Sequence, residues 1–125
     1  MIVELARRFR FEAAHHLPHV AADHKCRRVH GHSFRVTVRI AGEVDPRTGW
    51  LMDYADLAAA FEPIRLSLDH YDLNTIEGLE NPTSEHVARW IWDRLRPGLP
   101  ALVAVTVHET CTSSCTYRGE AGKPV

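Results

Sequence analysis

Residues 30–40 read His-Gly-His-Ser-Phe-Arg-Val-Thr-Val-Arg-Ile, and their alternation decides the fold. Phe34, Val36, Val38 and Ile40 fall on one parity, while Ser33, Arg35, Thr37 and Arg39 fall on the other. That period of two marks a strand with one face in a core and one in water. Upstream, residues 2–16 repeat the pattern, with Leu5, Phe9, Phe11, Ala13 and His15 opposed to Arg8, Arg10, Glu12 and Ala14. Leu17 to Val29, between the two strands, carries a proline and charges with little periodicity, and reads as a long exposed loop of the kind that holds functional groups.

Downstream, Asp45-Pro46-Arg47-Thr48-Gly49 has the chemistry of a turn, and Asp53 can cap a helix through Leu57, Ala60, Phe61, Ile64 and Leu68. Pro63 lies inside that helix and is expected to kink or end it. Leu68 to Asn81 reads as irregular, Pro82-Thr83-Ser84-Glu85 starts a second helix, and Pro97-Gly98 ends it. Leu102 to Glu109 and Thr112 to Arg118 read as a closing pair of strands, with Glu120 to Val125 as a polar tail. The expected fold class is α+β, a four-stranded antiparallel sheet with two helices on one face, in one domain spanning residues 1–125. Such a sheet has two open edges, which a small protein can cover by assembling with copies of itself.

A hydrophobic content of 45% with 25% charged residues is globular, and a net charge of −1 gives no electrostatic reason to expect nucleic acid or an acidic membrane as partner. The apolar run from Leu99 to Val107 contains a proline and is far shorter than a membrane helix. The opening residues lack signal-peptide architecture, and three cysteines argue against a disulfide framework. The expected location is the cytoplasm.

Nine histidines are unusual for 125 residues, and they crowd between His15 and His32. In His30-Gly31-His32 both imidazoles point to one face of a strand, the face of Phe34 and Val36. His15 shares the parity of Phe9 and Phe11, so pairing of the first two strands brings three imidazoles together beside an apolar surface. Three neutral nitrogens with a fourth position open describe a catalytic zinc site. His16 and His24 read as solvated loop residues. Cys26, flanked by Lys25, Arg27 and Arg28, is as well described by a reactive thiolate as by an ordinary thiol. Asp69 could orient His70, or the two could simply form a turn at a helix end. Glu109 shares the parity of Val103, Val105 and Val107, so its carboxylate needs a protein or ligand partner unless it reaches water. Cys111 and Cys115 read as unlinked packing thiols.

Phe-Glu-Ala-Ala-His (11–15), Cys-x-x-x-His-Gly-His (26–32), Thr-Gly-Trp-Leu-Met-Asp (48–53), Leu-Asp-His-Tyr-Asp-Leu-Asn (68–74), Asn-Pro-Thr-Ser-Glu (81–85) and Glu-Thr-Cys-Thr (109–112) together resemble the 6-pyruvoyltetrahydropterin synthase superfamily. The resemblance runs from about Phe9 to Glu120. The three-residue gap between Cys26 and His30 is similar to the branch that makes 6-carboxytetrahydropterin for queuosine biosynthesis, whereas the pyruvoyl-forming branch has a longer gap.

By this resemblance His15, His30 and His32 are zinc ligands, and Cys26 is the catalytic thiol with Asp69 and His70 completing a triad. Glu109 anchors the pterin, and Thr83, Ser84 and Thr110 line its pocket. The doubled His15-His16 departs from the commoner His-Arg or His-Tyr, and strand parity favours His15 as the ligand. The resemblance further implies the tunnelling fold, a hexamer of two stacked trimers, and conversion of 7,8-dihydroneopterin triphosphate to 6-carboxy-5,6,7,8-tetrahydropterin with release of acetaldehyde and triphosphate. Lys25, Arg27 or Arg28 could hold the triphosphate, or remain solvated. Two alternatives stand beside that reading: a pyruvoyl-forming enzyme, and a non-catalytic zinc module with Cys26 or a fourth histidine closing the metal site.

Overall fold

The computed structural model describes residues 1–120; the expected tail beyond Glu120 lies outside the described residues. Two long strands, β1 (Ile2–His15) and β2 (His30–Glu43), pair antiparallel along their whole length, with His15 opposite His30 and Ala13 opposite His32. After α1 (Tyr54–Leu68) come a two-residue strand β3 (Tyr71–Asp72), α2 (Ser84–Leu95), β4 (Leu102–His108) and β5 (Ser114–Tyr117). The sheet runs β3-β1-β2-β4-β5. Both helices cover the same face, α1 packing on β1 and α2 on β4 and β5.

The alternating apolar residues build this architecture. Phe11, Phe34, Val36, Val38 and Ile40 are fully buried under the helices, joined by Leu57, Phe61, Ile64 and Leu68 of α1 and by Val87, Ala88, Trp90, Ile91 and Leu95 of α2. The other face carries Arg8, Arg10, Glu12, Ser33 and Arg35, and no helix among the described residues covers it.

The sheet has five strands and is mixed, not four and antiparallel. β3 lies parallel to the end of β1, pairing Tyr71 with Ala13 and Asp72 with Ala14. Two residues are too short to show a period, so this strand is set by what precedes it. At the end of α1 the His70 N–H donates to the Glu12 carbonyl at 2.6 Å, and the chain is laid along the sheet edge.

Pro63 does not break α1, which continues to Leu68. Its ring lies on the exposed side of the helix, while Phe61, Ile64 and Leu68 anchor the turns around it in the core. The lost backbone bond costs less than releasing those side chains would.

A register shift opposite Arg39 and Ile40 forms a bulge in β4, so Leu102 and not Val103 faces Ile40 in the core. Val105 and Val107 stay buried opposite Val38 and Val36, and Glu109 follows directly beyond the end of the strand. Cys115 packs against the core, but Cys111 is exposed and so is not the packing thiol expected. No helix among the described residues is long and apolar enough to cross a membrane.

Candidate metal centre and surrounding active site

The paired ends of β1 and β2 bring His15, His30 and His32 together as their parity requires. The three rings lie 4.6–5.1 Å apart between centroids, and Phe34 stands edge-on to His15 and His32 as an apolar floor. His15 is completely buried. Its Nδ1 donates to the carbonyl of Pro82 at 2.8 Å, and His30 Nδ1 donates likewise to the Arg28 carbonyl at 2.8 Å. A carbonyl can only accept, so each neutral ring carries its proton on Nδ1 and presents the Nε2 lone pair.

Glu109 completes the group. One donor atom from each of His15, His30, His32 and Glu109 lies within 4.8 Å of every other. Glu109 Oε1 stands 3.0 Å from His15 Nε2 and 3.5 Å from His32 Nε2, and both nitrogens are buried with no hydrogen-bond donor to satisfy them. A nitrogen lone pair facing a carboxylate is unfavourable unless a proton or a cation lies between. Burial pulls His15 towards the neutral form, but the Glu109 carboxylate and the Pro82 carbonyl outweigh it, and its pKa is raised. His32, whose burial prevails over Glu109, is lowered. Glu109 is itself held below the usual carboxylate range, chiefly by its contact with His15. Orphaned imidazole nitrogens beside a carboxylate fit a divalent transition metal, and the nitrogen-rich donor set suits zinc.

Cys26 opens on the same space. It sits in a one-turn 3-10 helix, Lys25–Arg27, and lines a cavity of about 570 Å³ with Leu17, His30, His32, Glu109 and Thr110. Lys25 and Arg28 also border this cavity, whereas Arg27 turns away and donates from Nη1 to the Val20 carbonyl at 2.9 Å.

Asp69 and His70 lie elsewhere. His70 faces a second cavity, of about 510 Å³, with Glu12, Ala14, Ser33 and Tyr71 on the helix-free side of the sheet. The two cavities meet at Gly31 and His32. His70 Nδ1 approaches Asp69 Oδ2 at 3.0 Å, as the dipeptide suggested, and the residue has a left-handed backbone with φ of 64°. Asp69 also accepts the Glu12 N–H at 2.8 Å and meets Arg65 at 3.3 Å, while Arg65 pairs with Glu62. The Glu12 N–H above all, with His70 and Arg65, keeps the Asp69 carboxyl below its ordinary range.

Thr83 and Ser84 border neither cavity, and the Thr83 hydroxyl caps α2 by accepting the His86 N–H at 3.2 Å. Their neighbour Pro82 is the residue sequence reasoning missed, since its contribution is a backbone carbonyl and leaves no residue-type signal. The nearness of Glu109 to the imidazoles was also invisible, because nothing local says that β4 ends beside the tips of β1 and β2. His24 is exposed on the loop, as a solvated residue should be, and its Nδ1 also accepts the Cys26 N–H.

Residues 4–120 match the 6-pyruvoyl tetrahydropterin synthase family. A 6-carboxy-5,6,7,8-tetrahydropterin synthase of Synechocystis is 48% identical over 117 residues, 89% of each chain. The human 6-pyruvoyl tetrahydrobiopterin synthase is 35% identical, covering 94% of this chain and 92% of its own. Among solved structures, the 6-pyruvoyl tetrahydropterin synthase of Caenorhabditis elegans superimposes with a TM-score of 0.89 at 30% identity, over 96% of this chain and 97% of that one.

Proposed function

The chain belongs to the 6-pyruvoyl tetrahydropterin synthase family, and on that premise we propose that it is a zinc-dependent carbon–carbon lyase. Its substrate is 7,8-dihydroneopterin triphosphate, and its products are 6-carboxy-5,6,7,8-tetrahydropterin, acetaldehyde and triphosphate, a step of queuosine biosynthesis. The observation that carries this reading is the convergence of His15, His30 and His32 on the cavity into which Cys26 opens. The three-residue gap between Cys26 and His30, and the 48% identity to the Synechocystis protein of that name, support the carboxy-forming branch.

His15, His30 and His32 hold the metal through Nε2, with Pro82 and Arg28 fixing the ring orientation of the first two. A zinc ion held there supplies Lewis acidity towards the oxygens of the substrate side chain. Cys26, as thiolate, takes or relays the proton from the adjacent carbon, and His70, oriented by Asp69, exchanges a proton on the opposite face. Glu109 accepts hydrogen bonds from the pterin amino and ring N–H groups, a fork suited to a carboxylate. Thr110 borders the same cavity, whereas Thr83 and Ser84, which the resemblance places in the pterin pocket, start α2 outside the two cavities of this chain. Lys25 and Arg28, at the cavity rim, bind the triphosphate. The protein works in the cytoplasm as a homo-hexamer whose exposed sheet edges, β3 and β5, pair between copies.

Among the described residues the donor group contains neither Cys26 nor a fourth histidine, the two closing ligands of the structural zinc module, and its fourth donor is Glu109. The test is to incubate zinc-loaded protein with 7,8-dihydroneopterin triphosphate and identify the products by mass, with Cys26→Ala in parallel. Acetaldehyde with the carboxypterin, and a Cys26→Ala variant that keeps zinc but not turnover, is the expected result. A pyruvoyl product would assign the chain to the sister activity. No turnover despite bound zinc would leave the non-catalytic module.

A further inference from the structure

We propose that His24 is a positioning residue for the Cys26 thiol, its imidazole acting as the N-cap of the single helical turn that carries the cysteine. His24 has an extended backbone (φ −68°, ψ 134°) immediately before Lys25–Arg27, and its Nδ1 accepts the Cys26 N–H at 3.0 Å. The first N–H groups of a helical turn have no partner within it, and a side-chain acceptor on the preceding residue satisfies one of them. Serine, threonine, aspartate and asparagine usually do this. Here an imidazole does, and acceptance at Nδ1 places the proton of the neutral ring on Nε2.

The Cys26 peptide is tied on both sides. Its carbonyl accepts the Leu17 N–H at 2.7 Å, and the turn is braced by Arg27 N–H to the His24 carbonyl at 3.1 Å and by His24 N–H to the Ala21 carbonyl at 2.9 Å. No residue from Leu17 to Val29 is buried, so hydrogen bonds and not apolar packing hold the loop. The bond from His24 is the one tie made directly to the Cys26 N–H, and it comes from a side chain that substitution can remove. The role assigned to His24 rests on Cys26 being the reactive thiol, and His24 itself borders neither cavity.

The full-length, zinc-loaded chain with His24→Ala and with His24→Asn tests this. Two quantities are followed: the rate at which iodoacetamide alkylates Cys26, resolved by mass from Cys111 and Cys115, and kcat and KM with 7,8-dihydroneopterin triphosphate. His24→Ala is expected to speed Cys26 alkylation and lower kcat, each about fivefold, the equivalent of one lost cap. KM and zinc content stay unchanged. Asparagine offers an oxygen to the same N–H and restores both quantities to within about twofold. Wild-type behaviour of His24→Ala would overturn the proposal. So would His24→Asn as impaired as alanine, since the ring would then act for itself. If no variant turns over substrate but alkylation still follows alanine and asparagine as stated, the positioning role stands and the lyase reading fails.

Discussion

His15 is wholly buried at the end of a strand pair fourteen residues long, whereas the side chain of His70 is 79% exposed on a left-handed turn at the sheet edge. The first is held by packing: Phe34 beneath it, two further imidazoles beside it and the Pro82 carbonyl on its far nitrogen. The second is held by hydrogen bonds, with the Glu12 N–H, the Arg65 guanidinium and the His70 ring Nδ1 all donating to the Asp69 carboxylate. A metal centre gains from rigid, desolvated ligands, because distances must be right before the ion arrives. An acid–base imidazole gains from the reverse, since exposure lets it meet a substrate from outside. The chain therefore gathers its candidate metal ligands on its own buried face and leaves the Asp69–His70 pair open on the other.

Four experiments break or sharpen that contrast. His32→Ala removes one of the three packed imidazoles and is expected to lower bound zinc from about one per chain to almost none, with turnover lost. Metal analysis decides it, and full zinc retention would show that the cluster is not the centre. His70→Ala, on the open side, should leave zinc unchanged and reduce kcat roughly a hundredfold to ten-thousandfold, the range for one acid–base group. If zinc were lost as well, the two regions would not be independent.

Gly31 lies where the two cavities meet, and a Cβ there would stand 3.5 Å from the Ala13 carbonyl, an ordinary contact. Gly31→Ala should therefore fold normally, with an unchanged thermal midpoint, yet raise KM about tenfold by narrowing the junction. An unchanged KM would mean that substrate does not cross it.

The smallest effect concerns pH. The Asp69 pKa is depressed below its ordinary 3.8, so its contribution to folding is complete above that value and is lost as pH falls through the lower, folded one. The thermal midpoint of Asp69→Asn is thus expected a few degrees below wild type at neutral pH, and the gap should close under acid, below about pH 4. A gap independent of pH would show that the carboxylate charge does not hold the turn.

Much of this was legible in one dimension. The parity of His15, His30 and His32 placed all three on the core face, whereas the Asp69-His70 dipeptide left open whether carboxylate and imidazole meet, which they do at 3.0 Å. Glu109 was legible only as a carboxylate in need of a partner. Its partners are on β1 and β2, more than seventy residues away along the chain. Cys26 and His24 were opaque for another reason: a loop without periodicity has no face to read, and a histidine acting as a cap looks like any solvated histidine.

The sequence by itself determined the alternation that makes β1 and β2, the burial of their apolar parity under two helices, and the alignment of three imidazoles, because period and parity are local properties of a strand. Only the tertiary structure decided that Pro63 could stay inside α1, that β3 would close the edge in parallel, that Val103 would bulge out of register, and that Asp69–His70 would open on the opposite side of the sheet from Cys26. Each of those outcomes depends on energies exchanged between segments distant in the chain, where packing and long-range hydrogen bonds outweigh the preference of any single residue.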